Sequence, residues 1–275
     1  MTEPRSRGVL YPARVPSFTR VAPEGAERRL VVHFWVPEWD IEPGRVSRQH
    51  VIGYPASNLV VGLDGAVVSG PTTTRTHRDL TGSGWAVGAM LRPAAVAAVV
   101  GDPLAVRDTE AMLEAPELVR AVGSAMRGPR GERIHNACRA LGTWIVARVG
   151  EPTPEALLAN ELAHIIDADP EVRHLADVAA RLGVSERTVT RLARHHVGMT
   201  PAAMIRRRRL QEAAEELRAD PGAPLAEVAA RYGYADQSHL SREVRAVLGL
   251  TPTGYRADAI PDASGHPQHR GFPGM

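Results

Sequence analysis

The strongest constraint on this chain is an internal repeat. Leu175-Ala-Asp-Val-Ala-Ala-Arg-Leu-Gly183 returns fifty residues later as Leu225-Ala-Glu-Val-Ala-Ala-Arg-Tyr-Gly233, with seven of nine positions identical. A second echo, Gly198-Met-Thr-Pro201 against Gly249-Leu-Thr-Pro252, is offset by fifty-one, so the second copy holds one extra residue in its turn. Two copies of one structural unit are therefore expected, and a helical array is disfavoured because such arrays need three or more repeats.

Each copy has the pattern of two short helices joined by a tight turn. In the first, Val178 and Leu182 give the leading helix an apolar face, Ala179 is small enough for a close crossing, and Gly183 stands where the turn needs positive φ. Ser185 then caps a second helix whose inward residues are Val189 and Leu192. Its outward row is Arg187, Thr190, Arg191 and Arg194. In the second copy Val228, Ala229 and Gly233 repeat these parts, with Asp236 as the cap and Leu240, Val244 and Val247 inward. Gln237, Ser238, Ser241 and Arg242 are left outward. Between the copies, residues 200–219 read as one long helix that holds them at a fixed separation. Its Arg206 to Arg209 run faces all ways, and about half of it is expected in ion pairs with nearby glutamates.

Charge follows the same division. Residues 171–256 carry 14 Arg against 10 Asp and Glu, whereas residues 1–170 carry 18 against 19, so only the repeated region is suited to a polyanion. Arginine can bond guanine through both nitrogens of its fork, glutamine can read adenine, and hydroxyls serve bases or phosphates.

The first half reads as β-rich. Residues 30–36 form a compact β-branched and aromatic run, and residues 58–61 and 66–68 flank Leu63-Asp64-Gly65, whose Asp-Gly signals a hairpin. Turn signals at Gly53-Tyr54-Pro55, Gly70-Pro71 and Gly82-Ser83-Gly84 point to a sandwich or barrel. From Pro93 the pattern turns helical, with segments at 93–100, 115–126, 131–149 and 154–168 that are expected to link the two halves. The expected organisation is α+β: a β-rich domain over 1–105, a helical connector with a dimerisation role over 106–168, an all-α double helix-turn-helix over 169–256, and a disordered tail over 257–275.

No run of 18 apolar residues occurs and residues 1–20 lack an apolar leader core, so a cytoplasmic protein without membrane contact is expected. The single cysteine, Cys138, excludes an intramolecular disulfide, and its place on an apolar stripe makes it a buried small hydrophobe rather than a redox sensor. His33, His50 and His77 lack a metal-ligand spacing, and no metal, cofactor or catalytic residue is expected.

Residues 171–256, through both repeats, the long helix between them and the closing Gly249-Leu-Thr-Pro-Thr-Gly-Tyr-Arg256, resemble the DNA-binding domain of AraC/XylS transcription regulators. The family's usual phenylalanines are replaced by Ala193, Leu240 and Val244. The resemblance implies two recognition helices in successive major grooves. The DNA-contacting residues it implies are Ser185, Arg187, Thr188, Thr190, Arg191 and Arg194 in the first unit. In the second they are Gln237, Ser238, His239, Ser241 and Arg242. More faintly, residues 54–114 resemble the cupin-like sensor domain of some such regulators, through Gly70-Pro71, residues 87–93 and Asp108. That implies an effector pocket, for which Trp35, Trp39, Tyr54 and Trp85 are the available large rings. The implied partners are double-stranded DNA, RNA polymerase, a small-molecule effector and a second copy of the chain. The alternative is a regulator without ligand whose first half serves dimerisation or partner binding.

Overall fold

The computed structural model describes residues 17–51, 55–72 and 76–259. Eight strands occupy the first part: β1 (Ser17–Val21), β2 (Val31–Asp40), β3 (Ser47–Val51), β4 (Asn58–Gly62), β5 (Gly65–Ser69), β6 (Thr76–Leu80), β7 (Ser83–Leu91) and β8 (Glu110–Leu113). Six of them form an antiparallel sheet in the order β1-β2-β7-β4-β5-β8, and β3 pairs with β6. The expected hairpin is present, with Gly62 opposite Gly65 and only Leu63 and Asp64 between the strands. Alternation assigns the faces: Phe34, Val36, Leu59, Val61, Ala66, Val68, Val87, Ala89 and Leu91 point to one buried core.

Three helices, α1 (Pro93–Val100), α2 (Pro116–Met126) and α3 (Arg133–Val149), complete that core through Ala95, Val99, Leu118, Val122, Ala137, Leu141 and Ile145. Here the structure corrects the sequence reading. The helices taken as a connector cover the sheet, because their apolar stripes face its core side, and β8 is a strand inside the stretch expected to be helical. Full burial of each large side chain stabilises by roughly 1.5–3 kcal/mol, which commits α2 and α3 to the sheet. Gly142 permits the approach of α3, since a Cβ there would lie 2.0 Å from Glu27 Oε1 and 3.0 Å from the Phe34 ring. Cys138 is buried in this core, and burial, with the Glu27 charge second, pushes its thiol up to about 12.

A second core joins α4 (Pro154–Ala168), α5 (Leu175–Leu182), α6 (Glu186–His196) and the start of α7 (Pro201–Ala219) through Leu162, Ile166, Val178, Val189, Leu192 and Met204. The sequence expectation drew the domain boundary at 168/169, whereas this core takes in α4. Thr153 caps α4, accepting from the Ala156 amide at 3.2 Å. Arg208 closes its other end by donating to the carbonyls of Ile166 (2.9 Å) and Val172 (2.8 Å), which no residue of the helix could satisfy. α8 (Leu225–Arg231), α9 (Gln237–Leu248) and α10 (Pro252–Ala259) follow. The chain divides into two compact units, residues 1–209 and 210–275, with the division falling inside α7. Of the tail expected to be disordered, residues 257–259 belong to α10 and the rest lies outside the described residues.

Within the first unit the β-half and the first helix-turn-helix are interlocked. Asn160 of α4 donates to the Arg29 carbonyl (2.8 Å) and accepts from the Ala94 amide (2.9 Å) at the start of α1. The 70–72 and 103–109 segments are bonded to each other, Gly70 N–H to Thr109 O at 3.1 Å and Asp108 N–H to Pro71 O at 3.1 Å. Both also reach the helices: Pro103 O lies 2.3 Å from where a Gly198 Cβ would stand, and Arg207 donates to Thr72 O at 2.9 Å.

Candidate nucleic-acid interface

Both turns form as the repeat requires. Gly183 (φ 65) and Gly233 (φ 68) take the positive φ that lets the chain leave the leading helix and begin the next within two or three residues. Ser185 Oγ then accepts from the Thr188 amide at 3.2 Å, and Asp236 accepts from the His239 amide at 2.7 Å. Different side chains thus perform the same cap in the two copies.

In α6, Val189, Leu192 and Ala193 are buried and Arg187, Arg191 and Arg194 are exposed. Spacings of four and three residues put those arginines on neighbouring positions of one face. Three predicted contact residues are partly committed elsewhere. Thr190 donates its hydroxyl to Glu186 O at 2.9 Å, and the Ser185 and Thr188 hydroxyls lie 2.9 Å apart. Arg191 also has a partner that sequence reasoning missed. Its Nη1 donates to Glu155 Oε1 at 2.7 Å, and the same oxygen is 3.4 Å from His196 Nε2. The Arg191 hydrogen bond holds the Glu155 carboxyl below its usual range, while burial lowers the His196 pKa despite the carboxylate. The only sequence signal for Glu155 was an acidic residue in the first turn after Thr153-Pro154.

The second unit repeats the arrangement. Leu240, Val244 and Leu248 are buried in α9, whereas Val247, expected inward, is only half-buried. Gln237, Ser238, His239 and Arg242 are exposed and Ser241 is half-buried. The His239 ring meets Tyr234 edge to face at 5.3 Å. Glu216 of α7 accepts from Arg231 (2.5 Å) and from the Tyr232 hydroxyl (2.8 Å), tying α8 to α7 inside this unit. Of the four-arginine run, Arg206 is exposed, but Arg207 and Arg208 are buried and donate to backbone carbonyls. The run therefore serves structure as well as charge.

Of the four aromatic residues proposed for an effector site, the three described ones do not share one face of the sheet. Trp35 and Trp39 lie on the sheet face opposite the helices, their rings filling the space over Gly88 and Gly84 where a Cβ would stand. Phe18 stacks parallel to Trp35 at 6.5 Å, and Trp35 Nε1 donates to Asn58 at 3.1 Å. Arg20 and His33 alternate onto this face, and burial followed by the Arg20 charge lowers His33 to about 4, leaving it neutral. Trp85 packs against the core on the other face, because it alternates with Val87, Ala89 and Leu91, and Tyr54 lies outside the described residues. Among the described residues no group of three or more His, Cys, Asp or Glu is gathered for a metal, and no helix is long and apolar enough to cross a membrane.

Two capped helix-turn-helix units, each presenting polar side chains from its second helix, define a DNA-binding domain of the helix-turn-helix class. Residues 178–258 match the family described as a helix-turn-helix domain, and residues 19–110 match a domain of unknown function (DUF6597). A putative AraC-like transcription regulator of Streptomyces antibioticus is 34% identical over 87 residues, 32% of this chain and 28% of that one. The transcriptional activator AarP of Providencia stuartii is 34% identical over 82 residues, 30% of this chain and 60% of that one. The chain thus spans less than two thirds of either relative. Unsaturated-fatty-acid-bound ToxT of Vibrio cholerae superposes with a TM-score of 0.40 at 11% identity, covering 81% of this chain and 94% of that one. The repeated helix-turn-helix region of this chain is thus similar to that of AraC-like transcription regulators.

Proposed function

We propose that this protein is a sequence-specific, non-catalytic DNA-binding transcription regulator in which each chain offers DNA two recognition helices, α6 and α9. The observation that carries the reading is the pairing of two independently capped helices with exposed polar rows, Arg187, Arg191 and Arg194 on one and Gln237, Ser238 and Arg242 on the other. The readers in this account are Arg187, Arg191, Gln237 and Arg242. Ser185 and Thr188 fix the start of α6, and Thr190, Arg194, His239 and Ser241 supply backbone contacts. Selection of bound duplexes from a randomised library by the full chain tests it, and recovery of no enriched sequence contradicts it.

The finer reading is control by a small molecule at the face of the six-stranded sheet opposite the helices. Supporting it are the Trp35 and Trp39 rings, the neutral His33, and the cationic Arg20 on that face. An effector there has a short route to DNA, because segments 70–72 and 103–109 contact Arg207 and Gly198 at the two ends of the α7 start. Ligand screening by thermal shift on the full chain tests this, since a ligand of the folded state raises its melting temperature by mass action. RNA polymerase, a second copy of the chain and a cytoplasmic setting complete the proposal.

A further inference from the structure

Glu155 stands out on the surface assigned to DNA, because a carboxylate beside a polyanion is unfavourable unless it has a purpose. It is held from three sides. Its place in the first turn of α4 suits the partial positive charge of a helix start. Arg191 donates to its Oε1 at 2.7 Å. His196, only 7% exposed, faces the same oxygen with Nε2 at 3.4 Å, while its Nδ1 is buried without a hydrogen-bond partner. A buried N–H left unbonded is costlier than an unbonded lone pair, so the imidazole proton belongs on Nε2, pointing at Glu155. The His196 ring touches His195 edge to face at 4.9 Å, and Arg191 is the other charged group facing the carboxylate.

The Arg191 and Glu155 side chains remain 55% and 43% exposed, so the pair is open to competition. A DNA phosphate offers Arg191 an exchange of one anion for another and leaves Glu155 unpaired beside the backbone. A guanine edge offers two directed hydrogen bonds through N7 and O6, a contact that sequence alone supplies. Both exchanges break the same ion pair, and only the second returns enough to do so.

Resting on the reading of α6 as a DNA-reading helix, we propose that Glu155 restrains Arg191: it retains the guanidinium in non-specific complexes and yields it only to a cognate base. Arg191 then releases no counterion on random DNA, and affinity for random DNA is kept low.

The test uses the full chain and two duplexes of equal length, one selected by the wild-type protein from a randomised library and one of random sequence, with Kd measured across a salt series. Glu155→Gln is expected to tighten binding to random DNA by roughly fivefold and to steepen its salt dependence by about one phosphate contact, and to tighten the selected duplex at least as much, because the ion pair broken there no longer has to be broken. Glu155→Asp, which keeps the charge at the helix start but draws it back by a methylene, is expected to move random-DNA affinity in the same direction. In an Arg191→Ala background Glu155→Gln is expected to give only the smaller gain that relief of repulsion supplies, equal on the two duplexes. A gain on random DNA as large without Arg191 as with it, an unchanged affinity for the selected duplex, or no change on random DNA each overturns the proposal. Failure of the wild-type chain to enrich any sequence is a separate result and overturns the DNA-reading assignment itself.

Discussion

The Arg207 guanidinium in α7 donates to the carbonyl of Thr72, 135 residues earlier in the chain, at 2.9 Å in a buried setting. One hydrogen bond thus joins the helix that connects the two helix-turn-helices to the loop leaving β5. Arg207→Ala leaves a buried carbonyl without its charged donor and is expected to destabilise the first unit by about 1.5–3 kcal/mol. Chemical denaturation of the variant against the wild type measures this, and an unchanged midpoint contradicts it.

Gly198 makes the neighbouring contact and tolerates no side chain. Its φ is 80, and a Cβ would stand 2.3 Å from Pro103 O. Gly198→Ala combines an unfavourable backbone region with a clash against backbone, so a loss of more than about 1 kcal/mol is expected. Gly183→Ala (φ 65), where nothing lies within 4 Å, carries the backbone cost alone and is expected to be milder. A larger loss at Gly183 than at Gly198 contradicts the close approach of the 103–109 segment.

His33 gives the stability a pH dependence. Its folded pKa is lowered to about 4 from the ordinary 6.5, so between those values the unfolded chain binds more protons than the folded one. The His33 contribution is present above about pH 6.5 and is lost as pH falls toward 4. Melting temperatures of wild type and His33→Gln are expected to converge across that window, and parallel curves contradict a buried neutral histidine.

Cys138 is expected to be inert. With its thiol pushed up to about 12 and its side chain in the sheet core, it offers neither thiolate nor access at neutral pH. Alkylation should follow global unfolding, appearing only with denaturant. Rapid labelling of the native protein contradicts this.

What the sequence made legible is what depends on neighbours along the chain. Gly183, Ser185 and Asp236 act within a few residues of themselves, so their turns and caps could be read directly. The amphipathic stripes of α2 and α3 were visible, but a stripe does not say which surface it meets, and the sheet rather than a linker role claimed them. β8 was hidden because Glu110-Ala-Met-Leu113 is as compatible with a helix, and only pairing with β5 fixes it as a strand. Alternation in β7 separates Trp85 from Gly84 and Gly88, but that Trp39 and Trp35 lie over those glycines follows from the β2–β7 register, which the sequence does not show. Glu155 and Arg191 are 36 residues apart, and nothing local joins them.

Base reading by α6 assigns Arg191→Ala a cost of about 1–3 kcal/mol on a selected duplex and much less on random DNA. The same loss on both would make Arg191 a phosphate contact only.

Hydroxyl-radical footprinting of the full chain on a duplex it has selected asks whether both copies of the repeat read DNA. Two protected segments are expected, one weakened by Arg187→Ala and the other by Arg242→Ala, each substitution leaving the opposite segment in place. A single protected segment, or two that fade together with either substitution, would contradict reading by both copies and leave one working helix-turn-helix per chain.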